Sequence, residues 1–261
     1  MNAFEKINLP DVKNIIIVAS GKGGVGKSTV SANLAIAMAR QGKKVALVDA
    51  DIYGPSIPKM FGVEDAQPEV SAIENKEIMF PVEKYGVKIM SIGFFIPKSH
   101  GLIWRGPMAS NVISQLFGDT QWGEIDYMII DFPPGTGDIQ LTTVQKLPIN
   151  GAIIVTTPQE IALNDARKAV SMFSNNDINI PIIGIIENMS WFTPQSHPDE
   201  KYFLFGQGGG AKLSAELNSK LLGQIPLVAE VGEAADKGLS VFNQENRTVV
   251  EAFEKIVLSI V

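Results

Sequence analysis

A run of glycines and lysines near the amino end has the residue types and spacing that bind phosphate. The run is Gly21-Lys22-Gly23-Gly24-Val25-Gly26-Lys27-Ser28-Thr29, and it meets the pattern of Gly, four residues, Gly-Lys-Ser/Thr. Glycine backbones can bring successive N–H groups around an anion, Lys27 would contact the β- and γ-phosphates, and Ser28 would offer its hydroxyl to Mg²⁺. The alternative is a glycine-rich turn, but the four fixed positions coincide by chance in only about one chain in a hundred of this size. The run therefore predicts a nucleoside triphosphate site that takes Mg²⁺.

The second lysine of this run, Lys22, is not required by the general pattern. A lysine at that place would project from the outer side of the loop. It could there serve a phosphate held by a neighbouring subunit, as an arginine finger does when it is supplied in trans. The alternative is a solvated surface lysine, and the loop alone leaves both interpretations open.

Carboxylates follow two apolar runs that have the length of buried strands. Asp49 and Asp51 follow residues 45–48, and Asp131 follows residues 127–130. Because a bound triphosphate, its metal and the attacking water lie at the carboxyl ends of the strands, we expect these acids there. Asp51 would reach the attacking water, while Asp49 would orient the water shell of the metal; the alternative for either is that it caps a turn. The predicted metal site comprises Ser28, Asp51 and Asp131, and the predicted catalytic residues are Lys22, Lys27, Asp51 and Asp131.

Apolar runs of strand length alternate with stretches of helical periodicity along most of the chain. The predicted strands are 15–19, 44–49, 127–131, 152–156 and 182–187. The predicted helix core positions are Val30, Leu34, Ala37 and Met38, then Ile161, Ala162, Ala166, Ala169, Val170 and Phe173, then Val249, Val250, Phe253, Ile256 and Val257. Residues 67–96 predict an excursion of short strands. The pattern favours an α/β fold, a doubly wound and mostly parallel sheet with helices on both faces, as one domain over residues 14–261 after an extension of residues 1–13.

The composition excludes several classes of function. The chain has 261 residues and a net charge of −6, with no basic stretch, so we expect no nucleic-acid partner. No apolar run approaches the roughly 20 residues that cross a bilayer, and the amino end has no signal-peptide layout, so we expect a cytoplasmic protein without a membrane partner. The chain has no cysteine, which excludes disulfides, thiolate metal ligands and cysteine nucleophiles.

Four stretches together resemble a known family. The glycine run with its extra lysine resembles the deviant Walker A motif of the superfamily of P-loop NTPases that includes MinD, ParA and the nitrogenase iron protein. Three further stretches are similar to its Mrp/ApbC branch, the iron–sulfur cluster carrier ATPases. They are Asp49-Ala50-Asp51-Ile52-Tyr53-Gly54-Pro55-Ser56-Ile57-Pro58, Trp104-Arg105-Gly106-Pro107-Met108 and Glu187-Asn188-Met189-Ser190. The resemblance covers nearly the whole chain.

The resemblance implies roles for particular residues. It implies a homodimer in which Lys22 contacts the nucleotide across the interface, with Asp51 in switch I and Asp131 in switch II. It also implies that Asn188 binds the adenine of ATP and that Pro226 borders the base. An amide offers a donor and an acceptor to a purine edge, which supports that role for Asn188, although a strand-end turn residue is the alternative. The implied partners are iron–sulfur apoproteins or assembly proteins.

The sequence departs from the branch at one motif. Most members place a Cys-x-x-Cys pair shortly after Asn-Met-Ser, where two subunits hold one iron–sulfur cluster between them. This chain has Trp191-Phe192-Thr193-Pro194-Gln195-Ser196-His197-Pro198 there, so the ligands that such clusters ordinarily use are absent. The leading hypothesis is therefore a Mg²⁺-dependent ATPase dimer that resembles a cluster carrier without the cluster ligands. The alternatives are a positioning ATPase like MinD or ParA, and a nucleotide-gated adaptor that binds no cluster.

Overall fold

The carboxyl ends of the parallel strands meet at one edge of a central sheet, beside the glycine-rich loop. The computed structural model describes residues 6–73, 76–96, 106–194, 196–197, 199–243 and 247–261. Its strands are β1 (Val12–Ala19), β2 (Val45–Asp49), β3 (Glu69–Ile73), β4 (Lys76–Phe80), β5 (Val82–Lys84), β6 (Val87–Ser91), β7 (Ile125–Asp131), β8 (Gly151–Thr156), β9 (Ile182–Glu187) and β10 (Leu221–Gln224). Its α-helices are α1 (Lys27–Arg40), α2 (Ile57–Met60), α3 (Gly106–Gly118), α4 (Asp138–Lys146), α5 (Glu160–Phe173), α6 (Gly209–Glu216), α7 (Ala229–Asp236) and α8 (Arg247–Ile260).

The strand order fixes where loops can meet. The eight-stranded sheet runs β10-β9-β8-β1-β7-β2-β6-β5, and β3 pairs with β4 in a separate sheet. Within the larger sheet β5 is antiparallel to β6, and the other pairs are parallel. Because β1 lies between β7 and β8, the loop after β1 lies beside the ends of both strands. This sheet confirms the predicted mostly parallel α/β fold.

Both faces of the sheet are covered by apolar side chains. Along β1, Ile16 and Val18 pack into a cluster that includes Leu34 of α1 and Phe253 of α8. The alternate residues Ile15 and Ile17 pack into a second cluster on the other face, which includes Phe117 of α3 and Phe173 of α5. Each such fully buried large side chain stabilises the fold by roughly 1.5–3 kcal/mol. A strand that is buried on both faces of the sheet must be apolar along its whole length, because its side chains point alternately to the two faces.

The predicted elements compare closely with those observed. Each of the five predicted strands is present, with ends that differ by at most three residues. The predicted core positions of α1 and α8 are all buried. One prediction in α5 is wrong: Ile161 is 65% exposed, because the first turn of that helix points its side chain away from the sheet, and Ala162 and Ala166 make the contact instead.

Three strands of the main sheet, β5, β6 and β10, were not among the five strands predicted one by one. Residues 67–96 contain the expected short strands, but β6 at their end joins the main sheet in parallel with β2. Strand β10 extends the other edge beside β9. The predicted boundary after residue 13 falls inside β1, which begins at Val12. Trp104 and Arg105, which belong to one of the family-like stretches, lie outside the described residues.

Among the helices in the described ranges, none is both long and apolar enough to cross a membrane.

Candidate functional site

The glycine-rich loop leaves β1 and turns directly into α1. Gly24 and Gly26 have φ angles of 83° and 82°, in the left-handed region that side chains disfavour. A Cβ on Gly26 would also lie 2.2 Å from Nδ2 of Asn188, whereas none of the described atoms lies within 4 Å of the corresponding position on Gly24. Gly26 is therefore required twice, for its backbone conformation and for the close approach of Asn188.

The first residue of the loop, Gly21, packs against the backbone of α5. A Cβ on Gly21 would lie 2.0 Å from the carbonyl carbon of Asp165, so the loop backbone rests against that helix. The hydroxyl of Ser20 donates to the carbonyl oxygen of Lys22 at 2.9 Å, and the amide of Gly135 donates to the carbonyl oxygen of Ser20 at 3.3 Å. The segment after β7 is thus tied to the start of the loop.

Lys27 lies at the centre of a cluster of charged and polar groups. Its side chain is 6% exposed, and its Nζ donates to Oδ1 of Asp131 at 2.8 Å and to Oγ of Ser28 at 3.1 Å. Oδ2 of Asp51 is 3.8 Å from the same nitrogen. The structure therefore brings together the lysine, the hydroxyl and both of the acids that the sequence predicts for one site.

Asp131 is fully buried and only partly paired. Its Oδ1 accepts from Lys27 and also from the hydroxyl of Ser31 at 2.7 Å, while its Oδ2 has no hydrogen-bond partner in the described part of the chain. A buried carboxylate oxygen that lacks a donor is costly unless a cation or water approaches it. Together with Ser28 and Asp51 it forms a set of oxygen ligands, the kind that Mg²⁺ prefers, so these residues fit that ion.

Asp49 has a different place from its neighbour Asp51. Its Oδ1 accepts from the amide of Asp51 at 3.2 Å, and its Oδ2 accepts from the amide of Ile57 at 3.1 Å and the hydroxyl of Ser91 at 3.0 Å. Burial, and next the charge of Asp131, raise the pKa of Asp49 to about 7, against the lowering effect of these bonds. Asp49 therefore holds the backbone around Asp51.

The carboxyl group of Asp51 faces the loop. Its pKa is raised, mainly because burial penalises the charged form, while the charge of Lys27 acts in the opposite direction. Asp51 lines a cavity of about 240 Å³ at the mouth of the loop, and its described lining residues are Ser20, Lys22, Gly23, Gly24, Gly26, Lys27, Ser28, Thr29, Asp51, Ser56, Met60 and Pro134. This volume and lining suit phosphate groups.

A second cavity, of about 310 Å³, continues from the first, since Gly26 and Thr29 line both. Its wall includes Asn188 and Pro226, the two residues that the sequence predicts beside the base. Nδ2 of Asn188 donates to the carbonyl oxygen of Val25 at 2.9 Å, so this amide also clamps the loop. The wall is otherwise mainly apolar, as a flat heterocycle requires. Val25 and Gly21 support the loop, and the other predicted nucleotide-site residues line one or both of the cavities.

Two aromatic residues of the segment that follows Ser190, Trp191 and Phe192, contact residues 201 and 202. Phe192 and Tyr202 exchange two backbone hydrogen bonds, at 2.9 and 2.8 Å. Nζ of Lys201 lies 4.1 Å from the ring centroid of Trp191, a cation–π contact. His197 is exposed, and the described residues contain no group of three or more His, Cys, Asp or Glu side chains that could hold a metal ion. Gln195 and Pro198 lie outside the described residues.

Three further residues at the site were not predicted. Ser31 bonds to Asp131, Ser91 bonds to Asp49, and the buried carboxylate of Glu187 accepts from the amide of Gly210 and from Nε2 of Gln224. Ser31 follows Lys27 by four residues on a helix, and this spacing could have indicated a shared face. No local sequence signal identifies Ser91, because its partner Asp49 lies 42 residues earlier in the chain. Glu187 stands in one of the family-like stretches, but its partners Gly210 and Gln224 are distant in the chain.

Comparisons with known proteins identify the family of this chain. The family model described as ParA, NUBPL iron-transfer P-loop NTPase, matches residues 11–261. An iron–sulfur cluster carrier protein from Aquifex aeolicus is 47% identical over 255 residues, which are 97% of this chain and 68% of that protein. The protein of the same name from Methanocaldococcus jannaschii is 49% identical over 257 residues, which are 97% of this chain and 86% of that protein.

Solved structures give the same result for the fold. A nucleotide-binding protein from Archaeoglobus fulgidus, in complex with ADP, has a TM-score of 0.75 and 38% identity, over 87% of each chain. MinD from Pyrococcus furiosus has a TM-score of 0.66 at 22% identity, over 95% of this chain and 98% of that one, and so shares the fold. This likeness confirms the predicted P-loop NTPase fold. The chain therefore belongs to the NUBPL iron-transfer family of ParA-type P-loop NTPases.

Proposed function

We propose that this protein is a Mg²⁺-dependent ATPase that works as a homodimer in the maturation of iron–sulfur proteins. The observation that supports hydrolysis most directly is the convergence of Lys27, Asp51 and Asp131 beneath an anion-binding loop, with Nζ of Lys27 within 2.8 and 3.8 Å of the two carboxylates. The relatives named as iron–sulfur cluster carrier proteins support the cellular role.

The loop and Lys27 would bind the triphosphate. Amides of Gly23, Gly24 and Gly26 would surround phosphate oxygens, and the amino end of α1 would add its unpaired donors and positive dipole. Lys27 would exchange its bond to Asp131 for bonds to the β- and γ-phosphates, because two anionic groups then compete for one ammonium. These groups would stabilise charge on the transferred phosphoryl group without a covalent intermediate.

Ser28, Asp51 and Asp131 would hold the metal, Ser28 through its hydroxyl and the acids through water. When held by these residues, the ion would supply positive charge that offsets the negative charge of the triphosphate. Asp51 would orient the water that attacks the γ-phosphate. Asn188 and Pro226 would contact the base in the second cavity, where the amide of Asn188 matches the donor and acceptor of an adenine edge.

Lys22 would complete the site of a second subunit. It lines the phosphate cavity and is only partly buried, so its ammonium can reach beyond its own loop. Lys22→Ala should impair hydrolysis more than ATP binding, and it should weaken ATP-dependent dimer formation in sedimentation experiments. Wild-type hydrolysis by this variant would remove the reason to assign Lys22 a role in trans.

The absence of cysteine bears on what the dimer transfers. One exposed histidine with hydroxyl and amide groups is a poor replacement for thiolates, so we propose that the chain holds no stable cluster with side chains of its own. The same observation favours a second candidate, an adaptor that uses ATP to switch its affinity for iron–sulfur apoproteins or assembly proteins. Anaerobic loading followed by iron and sulfide determination separates the two: a stoichiometric cluster supports the carrier, and none supports the adaptor.

Phosphate release tests the enzymatic part of the proposal. The purified protein should release phosphate from ATP when Mg²⁺ is supplied, and chelation with EDTA should stop the release. Asp51→Ala is the matched inactive variant, which controls for contaminating ATPases. Equal phosphate release from wild type and Asp51→Ala would contradict the proposal.

A further inference from the structure

The end of β6 lies next to the predicted catalytic segment, although it is far from it in the chain. Strand β2 pairs with β6 and with β7, and in this register Asp49 is the partner of both Ser91 and Asp131. Three polar side chains therefore stand in a row at the carboxyl edge of the sheet, and all three are fully buried.

Asp49 clamps both ends of the segment that follows β2. One carboxylate oxygen accepts from the amide of Asp51, and the other accepts from the amide of Ile57, the first residue of α2. The backbone between them includes Asp51 and Ser56, which both line the phosphate cavity. The orientation of the Asp49 carboxylate thus sets the position of one wall of that cavity.

Ser91 is the side chain that orients this carboxylate. Its hydroxyl donates a hydrogen bond to Oδ2 of Asp49 at 3.0 Å and accepts one from the amide of Gly93 at 2.9 Å. The hydroxyl therefore acts as both a donor and an acceptor. The turn at Gly93 packs on the clamped segment, since a Cβ there would lie 3.2 Å from Cβ of Pro55 and 3.3 Å from Cγ of Pro58. The position of the hydroxyl is therefore set by the Asp49 carboxylate and by the turn at Gly93.

We propose that Ser91 is a positioning residue for Asp51, which acts through Asp49. The inference rests on the proposed function, because it concerns the hydrolytic step. Removal of the hydroxyl leaves the buried Oδ2 of Asp49 with one donor fewer, and the carboxylate turns away from the conformation that holds the Asp51 amide. Because the described lining of the two cavities does not include Ser91, nucleotide binding stays intact while the attacking water loses its orientation.

The test compares Ser91→Ala with a matched variant. Ser240 is also buried, and its Oγ accepts from the amide of Phe242, two residues on, in the same local geometry but without a link to the site. Ser91→Ala should lower kcat by about tenfold and leave the Kd for ATP within about twofold, since it removes orientation and not binding. Ser240→Ala should keep the wild-type kcat and Kd.

A second variant guards against a fold defect in the first. Ser91→Cys keeps nearly the same volume with a weaker donor, so its kcat should lie between those of wild type and Ser91→Ala. Wild-type kcat in both variants would overturn the inference, as would a loss of ATP affinity that equals the loss of kcat. If the wild-type protein releases no phosphate under these conditions, the proposed function itself fails, which is a different result from normal turnover in Ser91→Ala.

Discussion

Nζ of Lys27 lies 2.8 Å from Oδ1 of Asp131, so the lysine of the phosphate loop is paired with the carboxylate at the end of the neighbouring strand. Both side chains are buried, and in such pairs the loss of one partner leaves an uncompensated charge that costs roughly 3–5 kcal/mol. A phosphate that attracts Lys27 therefore also changes the environment of Asp131. We therefore propose that this pair would couple nucleotide binding to the segment that follows β7.

Gly24 and Gly26 form a natural pair of positions for a test of the loop. Alanine at either position is forced into a left-handed conformation, which costs roughly 1–2 kcal/mol of folding free energy. Only at Gly26 would the added methyl group also collide with Asn188, at 2.2 Å. Urea denaturation should therefore show a larger loss of stability for Gly26→Ala than for Gly24→Ala. Equal losses would show that the contact with Asn188 is unimportant.

Asp51→Asn should separate binding from hydrolysis. The substitution keeps the size of the side chain but removes the charge that orients water, so turnover should fall by at least about 100-fold while ATP affinity changes by less than about threefold. Phosphate release and titration with a fluorescent ATP analogue give the two quantities. Asp236→Asn, at an exposed carboxylate in α7, is the control and should behave as wild type. Retained turnover in Asp51→Asn would refute this assignment.

Asp49 should make the stability of the protein depend on pH without nucleotide or metal. Its pKa is raised from 3.8 to about 7 by folding, so between these values the folded state keeps a proton that the unfolded state has lost. The free energy of unfolding therefore falls as the pH rises through this range. The variant Asp49→Asn lacks this titration, so its stability relative to wild type should increase from pH 4 to pH 7.

Urea denaturation of both proteins across this range measures the effect. The side-chain amide that Asp49→Asn introduces has one acceptor oxygen fewer than the carboxylate. This loss adds an offset that does not vary with pH, so the slope of the difference in stability is the informative quantity. A difference that stays constant with pH would show that Asp49 titrates in the folded protein as it does in the unfolded chain.

Asn188 should determine the choice of base. Its amide lines the second cavity and also donates to the carbonyl oxygen of Val25, so Asn188→Ala should weaken ATP binding and reduce the preference for ATP over GTP by about tenfold. Asn14→Ala is the control, because it removes an amide that also donates to a backbone carbonyl oxygen, that of Asp126 at 3.0 Å, and Asn14 is not among the described lining residues of either cavity. Competition between ATP and GTP for a fluorescent analogue measures the preference. An unchanged preference in Asn188→Ala would exclude direct contact with the base.

Much of the fold could be predicted from sequence because continuous apolar strands and helical stripes are local signals. Strand β10 could not be predicted from its pattern, because it has only four residues and one of them is Gly223, which weakens the signal of a strand. That glycine is explained by packing, since a Cβ there would lie 2.5 Å from Cγ1 of Ile256 in α8. Strand β6 escaped as a member of the main sheet because nothing within residues 87–91 shows that its partner is β2, some 40 residues earlier.

The residues of the site that belong to a local sequence motif could be predicted, and those that depend on strand pairing could not. Spacing within the loop identifies Lys27 and Ser28, because a motif of that kind specifies a backbone conformation by itself. The sequence leaves two roles open for Asp49, orienting the water shell of a metal or capping a turn, and the structure shows its oxygens bonded to two backbone amides and to Ser91. This arrangement depends on the register of three strands, which no single stretch of the sequence encodes.

The central claim is that the glycine-rich loop binds a nucleoside triphosphate through Lys27. Isothermal titration of the wild-type protein with ATP and Mg²⁺ should give one site per chain, and Lys27→Ala should reduce the affinity by at least about 100-fold. Lys44→Ala removes an exposed lysine beside Glu124, away from the loop, and should bind as wild type. The absence of binding heat for wild type, or equal affinity in wild type and Lys27→Ala, would contradict the account.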